Sequence, residues 1–271
     1  LRPPGAPGGI YRAGRADATD LRGRQLNRIA VVTEARDSIR LYRTAAHACG
    51  YYADRLSTNQ VLDPESPHLA AIFGQALVHG FRRAGDIIYR PDCASCAACT
   101  PYRVALATFA PNRAQRRVLA RNGDVVVSWR PAEESDEHYR LYVRYLGQRH
   151  AHGGMDQATA EDYRRFLFSR WARTAMMELR LGGDLIGAAV TDLVPDGASA
   201  VYTYFAPEHA QRSLGTFAIL QQLAFCRREA LAHLYLGYWI DGHPKMHYKR
   251  QFGPGEVRRK GVWQSLDGSP T

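Results

Sequence analysis

The chain has 271 residues, 45% of them hydrophobic, and a formal net charge of +10. That length suits one large domain or two modest ones. No apolar run approaches the roughly 18 residues of a membrane-spanning helix. Ile29-Ala30-Val31-Val32, the longest apolar run near the N-terminus, is too short for a signal-peptide core. The five cysteines then read as reduced thiols of a cytoplasmic protein. The positive balance points to an anionic partner, nucleic acid first.

Residues 1–36 are rich in Pro, Gly and Arg and lack periodicity, and so read as a disordered lead. Ser66 to His79 is the clearest helix: Leu69, Ile72, Phe73, Ala76 and Leu77 share one face, and Gly80 ends it. Asp86–Arg90 and Tyr102–Phe109 read as strands around a loop that carries Cys93, Cys96 and Cys99 at two-residue gaps. Cys49 lies upstream, and four such thiolates could hold a tetrahedral metal or an iron–sulfur cluster. Cys226 sits mid-helix beside Phe225 and reads as core packing. Asn112 then opens a short helix whose arginines 113, 116, 117 and 121 fall on one side. They fit phosphate binding or a solvated face equally well. Val125–Trp129 closes the first half as a strand.

Two amphipathic helices follow, near Glu133–Leu146 and Thr159–Arg170. Strands at Ala175–Leu181, Leu185–Val194 and Ala198–Phe205 form a meander with Gly/Asp/Pro turns. Ser213–Ala230 is a long helix, and Leu234–Ile240 a further strand. The order matches an α+β, acetyltransferase-like (GNAT-type) mixed sheet, with a smaller cysteine-bearing N-terminal α/β region. The expected division is a region at 37–130, a transferase domain at 131–265 and a tail at 266–271. Gln211-Arg212-Ser213-Leu214-Gly215-Thr216 places free N–H groups at a helix N-terminus, which favours an anion near Ser213 and Gly215. Only three lysines occur, and two, Lys245 and Lys249, sit four residues apart.

Three segments together resemble a known family. They are His47-Ala48-Cys49-Gly50-Tyr51; Gly80-Phe81-Arg82-Arg83-Ala84-Gly85-Asp86 through Cys99; and Ser213–Thr216 with Tyr235–Ile240 and Pro244–Lys249. From about Asp37 to about Trp263 the chain resembles the aminoacyl-tRNA–protein transferases, most of all the bacterial aspartate/glutamate leucyltransferases. The resemblance implies an enzyme that takes leucine from leucyl-tRNA and joins it to the N-terminal α-amine of proteins beginning with Asp or Glu. The product enters regulated proteolysis, the N-end rule route. Related eukaryotic arginyltransferases carry another cysteine where Tyr52 stands and are reported to hold a metal or cluster there. For Cys49, Cys93, Cys96 and Cys99 three states therefore stay open: zinc, an iron–sulfur cluster, or reduced thiols tightening a loop. The chemistry itself requires no cofactor.

That chemistry is aminolysis of an ester, which needs a proton acceptor, an oxyanion donor and two seats. Asp192 and Asp241, at strand ends, are candidate proton acceptors. Tyr202, nominated as catalytic, Tyr204, Tyr238 and Trp239 could line a leucyl cleft. Arg82, Arg83, Lys245 and Lys249 could meet the acidic head of the acceptor or the tRNA end, with Tyr248 beside them. His243 and His247 read as structural or as tRNA contacts. Two other functions fit part of the chain: an acetyl-CoA-dependent N-acetyltransferase and a non-enzymatic zinc-containing RNA-binding protein.

Overall fold

The computed structural model describes residues 38–149 and 159–266. The expected disordered lead and all but the first residue of the expected tail lie outside the described residues. The first part of the chain forms β1 (Leu41–Arg43), β2 (His47–Ala48), β3 (Leu56–Ser57), β4 (Asn59–Leu62), α1 (Leu69–Val78), β5 (Arg82–Ala84), β6 (Ile87–Pro91) and β7 (Thr100–Ala105). α2 (Arg113–Arg121), β8 (Val126–Pro131), α3 (Asp136–Arg149) and α4 (Ala160–Leu167) follow. The chain then runs through β9 (Thr174–Leu181), β10 (Asp184–Val194), β11 (Gly197–Phe205), α5 (Leu214–Arg228), β12 (His233–Trp239), β13 (Gly255–Arg259) and β14 (Val262–Ser265).

Three sheets result. A four-stranded sheet runs β1-β4-β6-β5, a small ribbon pairs β2 with β3, and a large sheet runs β14-β13-β7-β12-β11-β10-β9-β8. The mixed α+β architecture matches the sequence reading: the meander β9–β10–β11 is followed by a long helix and a strand beside β11. β12 joins β11 in parallel, as a strand–helix–strand crossover requires. The expected boundary at residue 130 falls inside the large sheet. β7 lies between β12 and β13, and β8 forms an edge on β9. Hydrogen bonding across β7 therefore joins segments that the sequence pattern separates.

α1 buries the face that its spacing set out. Leu69, Phe73, Ala76 and Leu77 are buried against Phe81, Ile88 and Tyr235, at about 1.5–3 kcal/mol for each large side chain. α5 is buried on most sides, between two clusters led by Tyr204, Phe217 and Leu214 and by Ile219, Leu223 and Cys226. Burial, as expected for core packing, pushes the Cys226 thiol up to about 12.

The small sheet is locked to the large one by the Arg83–Asp86 segment. Arg83 Nε and Nη2 each reach an Asp192 oxygen at 2.6 Å, and both side chains are fully buried. Thr174 Oγ1 donates to Asp192 at 2.8 Å and accepts from Arg83 Nη2 at 3.1 Å. Gly85 has φ 56° and its N–H donates to Phe166 O at 2.9 Å; a Cβ there would lie 1.9 Å from Arg165 O, so only glycine fits. Asp86 accepts from the Arg170 N–H at 2.8 Å and from Ser169 at 3.0 Å. Among the described residues no helix is long and apolar enough to cross a membrane.

Candidate active site

β11 and β12 pair only over Gly197–Ser199 and His233–Tyr235 and then diverge. β12 bulges against β7 between Tyr235 and Gly237, which turns it away from β11. The wedge between them opens into a cavity of about 360 Å³. Ala200–Thr203 line one side, Leu236–Tyr238 the other, and Ser213, Gly215 and Thr216 of the α5 start face it as well.

Arg82 occupies the wedge. Its Nη2 donates to Ala200 O at 2.7 Å and to Val201 O at 3.4 Å. Nη1 is buried without a partner among the described residues. Gly237, at φ 82°, makes room for it: a Cβ there would lie 2.7 Å from Nη1. No carboxylate among the described residues pairs with this guanidinium, so a cation stands in the cavity wall with its charge unmet.

Strand alternation sends the next residue the other way. Arg83 borders the cavity, but its guanidinium is spent on Asp192. Asp192, expected as a proton acceptor, is fully buried in that pair and does not line the cavity, because its carboxylate neutralises a buried cation. Asp241, the other expected proton acceptor, does not line the cavity either: its side chain is 72% exposed. Its neighbour His247 accepts the Gly242 N–H on Nδ1 at 3.0 Å, so that nitrogen has no proton to give the carboxylate.

The two lysines separate likewise. Lys245 is exposed and outside the cavity lining, since Pro244 opens a turn that carries it into solvent. Lys249 is buried in the cavity wall, where Nζ donates to Tyr238 O and lies 3.6 Å from Met246 Sδ. Burial, and then the Arg82 charge, holds its ammonium well below the ordinary lysine pKa. Lys249 is thus a poor ion-pair partner for substrate and a good clamp on β12.

Tyr202, Tyr238 and Tyr248 line the cavity as expected. Tyr202 packs edge-on against Phe166 and Tyr142, with ring centroids 5.1 and 6.0 Å away. The Tyr238 hydroxyl donates to Gly80 O at 3.1 Å and to Tyr89 O at 3.3 Å, and burial raises its pKa well above that of a free tyrosine. Trp239, one residue on, faces the opposite side of β12 and is buried in the core, which corrects its expected place in the cleft. Ser213 does face the cavity, at φ 56° and ψ 45°, but its side chain makes no capping bond. The first N–H groups of α5 are accordingly open toward the cavity.

Sequence reasoning did not nominate Tyr51, Tyr89, Gln115 or Gly237 as site residues. A glycine inside the apolar run Leu234–Ile240 was the available signal, because it marks a bulge or a close approach.

The cysteine loop braces this wall. Tyr51, Tyr89, Ala98 and Cys99 pack on Tyr238, Ile240 and Met246. Burial first, then Cys49, Cys93 and Cys96, push the Cys99 thiol up to about 12. Cys93 and Cys96 face each other across an isolated bridge, and all five cysteines are free. The sulfurs contact protein groups. Cys96 accepts from Arg55 at 3.3 Å, Cys49 from the Tyr51 N–H at 3.5 Å, and Cys93 donates to Ser57 at 3.6 Å. Among the described residues no three or more His, Cys, Asp or Glu side chains are placed to hold a metal ion. No chemical step is routed through the four thiols.

A parallel strand pair that splays apart, with a helix N-terminus at its opening, gives an acetyltransferase-like mixed α/β fold, and here a cation without a carboxylate partner among the described residues stands in the gap. The family model described as arginine-tRNA-protein transferase, C terminus, matches residues 137–259, and its N-terminus counterpart matches residues 47–117. An aspartate/glutamate leucyltransferase of Stenotrophomonas maltophilia is 49% identical over 88% of this chain and 98% of its own. One of Xanthomonas euvesicatoria is 50% identical over 88% of this chain and 97% of its own. Among solved structures, a DUF2156 C-terminal domain from Agrobacterium fabrum aligns with a TM-score of 0.46 and 16% identity, over 71% of this chain and 64% of that one. The chain belongs to the arginine-tRNA-protein transferase family, as the three resembling segments indicated.

Proposed function

We propose that this protein transfers leucine from leucyl-tRNA to the N-terminal α-amine of proteins beginning with Asp or Glu, and thereby creates a degradation signal. One observation carries the acceptor side: the unpaired Arg82 guanidinium in the wedge. A planar fork suits a carboxylate, and burial strengthens the contact. Of the four cations considered for this seat, Arg83 is consumed by Asp192, Lys245 is outside the cavity and Lys249 is tied to Tyr238. Arg82 is left to receive the side chain of the leading Asp or Glu.

The bond changes balance without an external reactant. The amine nitrogen attacks the leucyl ester carbon. The new C–N bond forms as the ester C–O bond breaks. The amine proton ends on the departing ribose oxygen. No carboxylate base is required, because a free α-amine titrates near 7.7–8.0, and a neighbouring cation such as Arg82 favours its neutral form further. Seating amine and ester together supplies about 7–11 kcal/mol of the barrier. The N–H groups at the start of α5 can stabilise the tetrahedral oxyanion by about 3–4 kcal/mol. Tyr202, Phe205 and Leu236 offer the leucyl side chain an apolar wall.

The test offers labelled leucyl-tRNA and arginyl-tRNA to peptides beginning with Asp, Glu, Lys and Ala. Leucine incorporation into the Asp and Glu peptides alone is expected. Arginine incorporation, or equal labelling of the Lys peptide, would overturn the reading.

A further inference from the structure

α2 carries four arginines in nine residues and no acid: Arg113, Arg116, Arg117 and Arg121 are all exposed. Its other side is fixed. Asn112 and Gln115 form a reciprocal capping box at 2.9 Å, and Gln115 Nε2 donates to Gln251 O at 2.9 Å. Asn112, Ala114, Gln115 and Val118 line the cavity. One side of the helix is thus cavity wall, and the arginines lie exposed on the same short helix.

Many exposed arginines elsewhere meet carboxylates. Arg164 lies 2.6 Å from Glu134, Arg165 2.8 Å from Glu161, and Arg140 3.8 Å from Asp136. The α2 arginines do not. Arg116 donates to Pro111 O and Arg121 to Gln211 O, both at 2.6 Å, so each keeps its full charge. Arg113 and Arg117 have no hydrogen bond or ion pair among the described residues. They stand one turn apart, about 6 Å along the axis, on a rigid rod.

We infer that the outer face of α2 is the docking surface for the double-helical stem of the donor tRNA, held through phosphates on its way to the cavity. The inference rests on the reading of tRNA as donor. A row of unneutralised guanidinium groups beside the cavity suits an RNA backbone, which is bound through phosphates and by shape rather than sequence. A peptide acceptor with one acidic residue offers no comparable row of charge.

The test is fluorescence anisotropy of labelled, uncharged leucine-accepting tRNA with the full chain, wild type against R113E/R117E. Binding should weaken by about tenfold or more, and the slope of log affinity against log salt should become shallower by about two. R113K/R117K, which keeps the charge, should retain most of the affinity. In the transfer assay R113E/R117E should raise KM for leucyl-tRNA and leave KM for the peptide unchanged. Unaltered affinity and salt slope would overturn the inference, as would an effect confined to peptide KM or an equal loss in the lysine variant. Direct binding separates this outcome from failure of the donor assignment, in which wild-type protein would transfer nothing from any charged tRNA.

Discussion

Neighbouring arginines on β5 have opposite fates. Arg83 turns into a dry ion pair with Asp192, and Arg82 turns into the wedge. Removing one member of a buried pair strands the other charge, at about 3–5 kcal/mol. Asp192→Ala is therefore expected to lower the melting temperature sharply, and activity should follow the folded fraction. A variant with native stability and no activity would return Asp192 to the role of base. Gly237→Ala adds a methyl where Arg82 already stands, in a left-handed backbone that itself disfavours a side chain by about 1–2 kcal/mol. Transfer to Asp peptides should fall through KM, measured by initial rates across peptide concentration. The sequence did not show that Arg82 and Arg83 face apart, because β5 has only three residues and is too short to be read as a strand. Nor did it show which faced the cavity, because the deciding partner, Asp192, lies 109 residues away. Asp241 and Trp239 misled for the same reason: a strand end or an aromatic run marks a position but not the face it presents.

The elements most legible from sequence were those with internal periodicity, α1, α5 and the β9–β11 meander. The strands β1, β4, β5, β13 and β14 carry three to five residues each and too little alternation to register; tertiary pairing makes them. The turn after β5 is a clamp between elements. Burial alone would raise the Asp86 carboxyl, but the bonds from Arg170 and Ser169 outweigh it and hold the pKa below the ordinary 3.8. A carboxylate depressed in the folded state stabilises above its unfolded pKa, and that support is lost as pH falls through the lower folded value. Asp86→Asn should therefore flatten the acid limb of stability below about pH 4, read from denaturant midpoints at stepped pH. An unchanged acid limb would show the clamp to be idle.

At the scale of the molecule, β7 binds the two halves into one sheet. It lies between β12 and β13 and supplies partners to both, from Thr100 to Ala105. A fragment of residues 131–271 would lack the strand that joins them and the Arg83 that neutralises Asp192. It should be unfolded by circular dichroism and recover structure only when residues 37–130 are supplied. A cooperative melt of the fragment alone would contradict this. The cavity is equally composite: Arg82 and Tyr51 come from the first half, Tyr202 and Tyr238 from the second. The order of motifs in the chain was readable, but this convergence depends on strand order, which pattern does not encode.

In the proposed reading, the site depends on a single fixed positive charge, Arg82, that selects the acidic leading residue while its amine meets the ester. The most direct measurement is kcat/KM for otherwise identical Asp- and Asn-headed peptides, in wild-type protein and in R82Q. The expected result is a strong preference for Asp in the wild type that collapses in R82Q, through a rise in KM for the Asp peptide and with KM for leucyl-tRNA unchanged. Preservation of the Asp preference in a folded R82Q protein would contradict it.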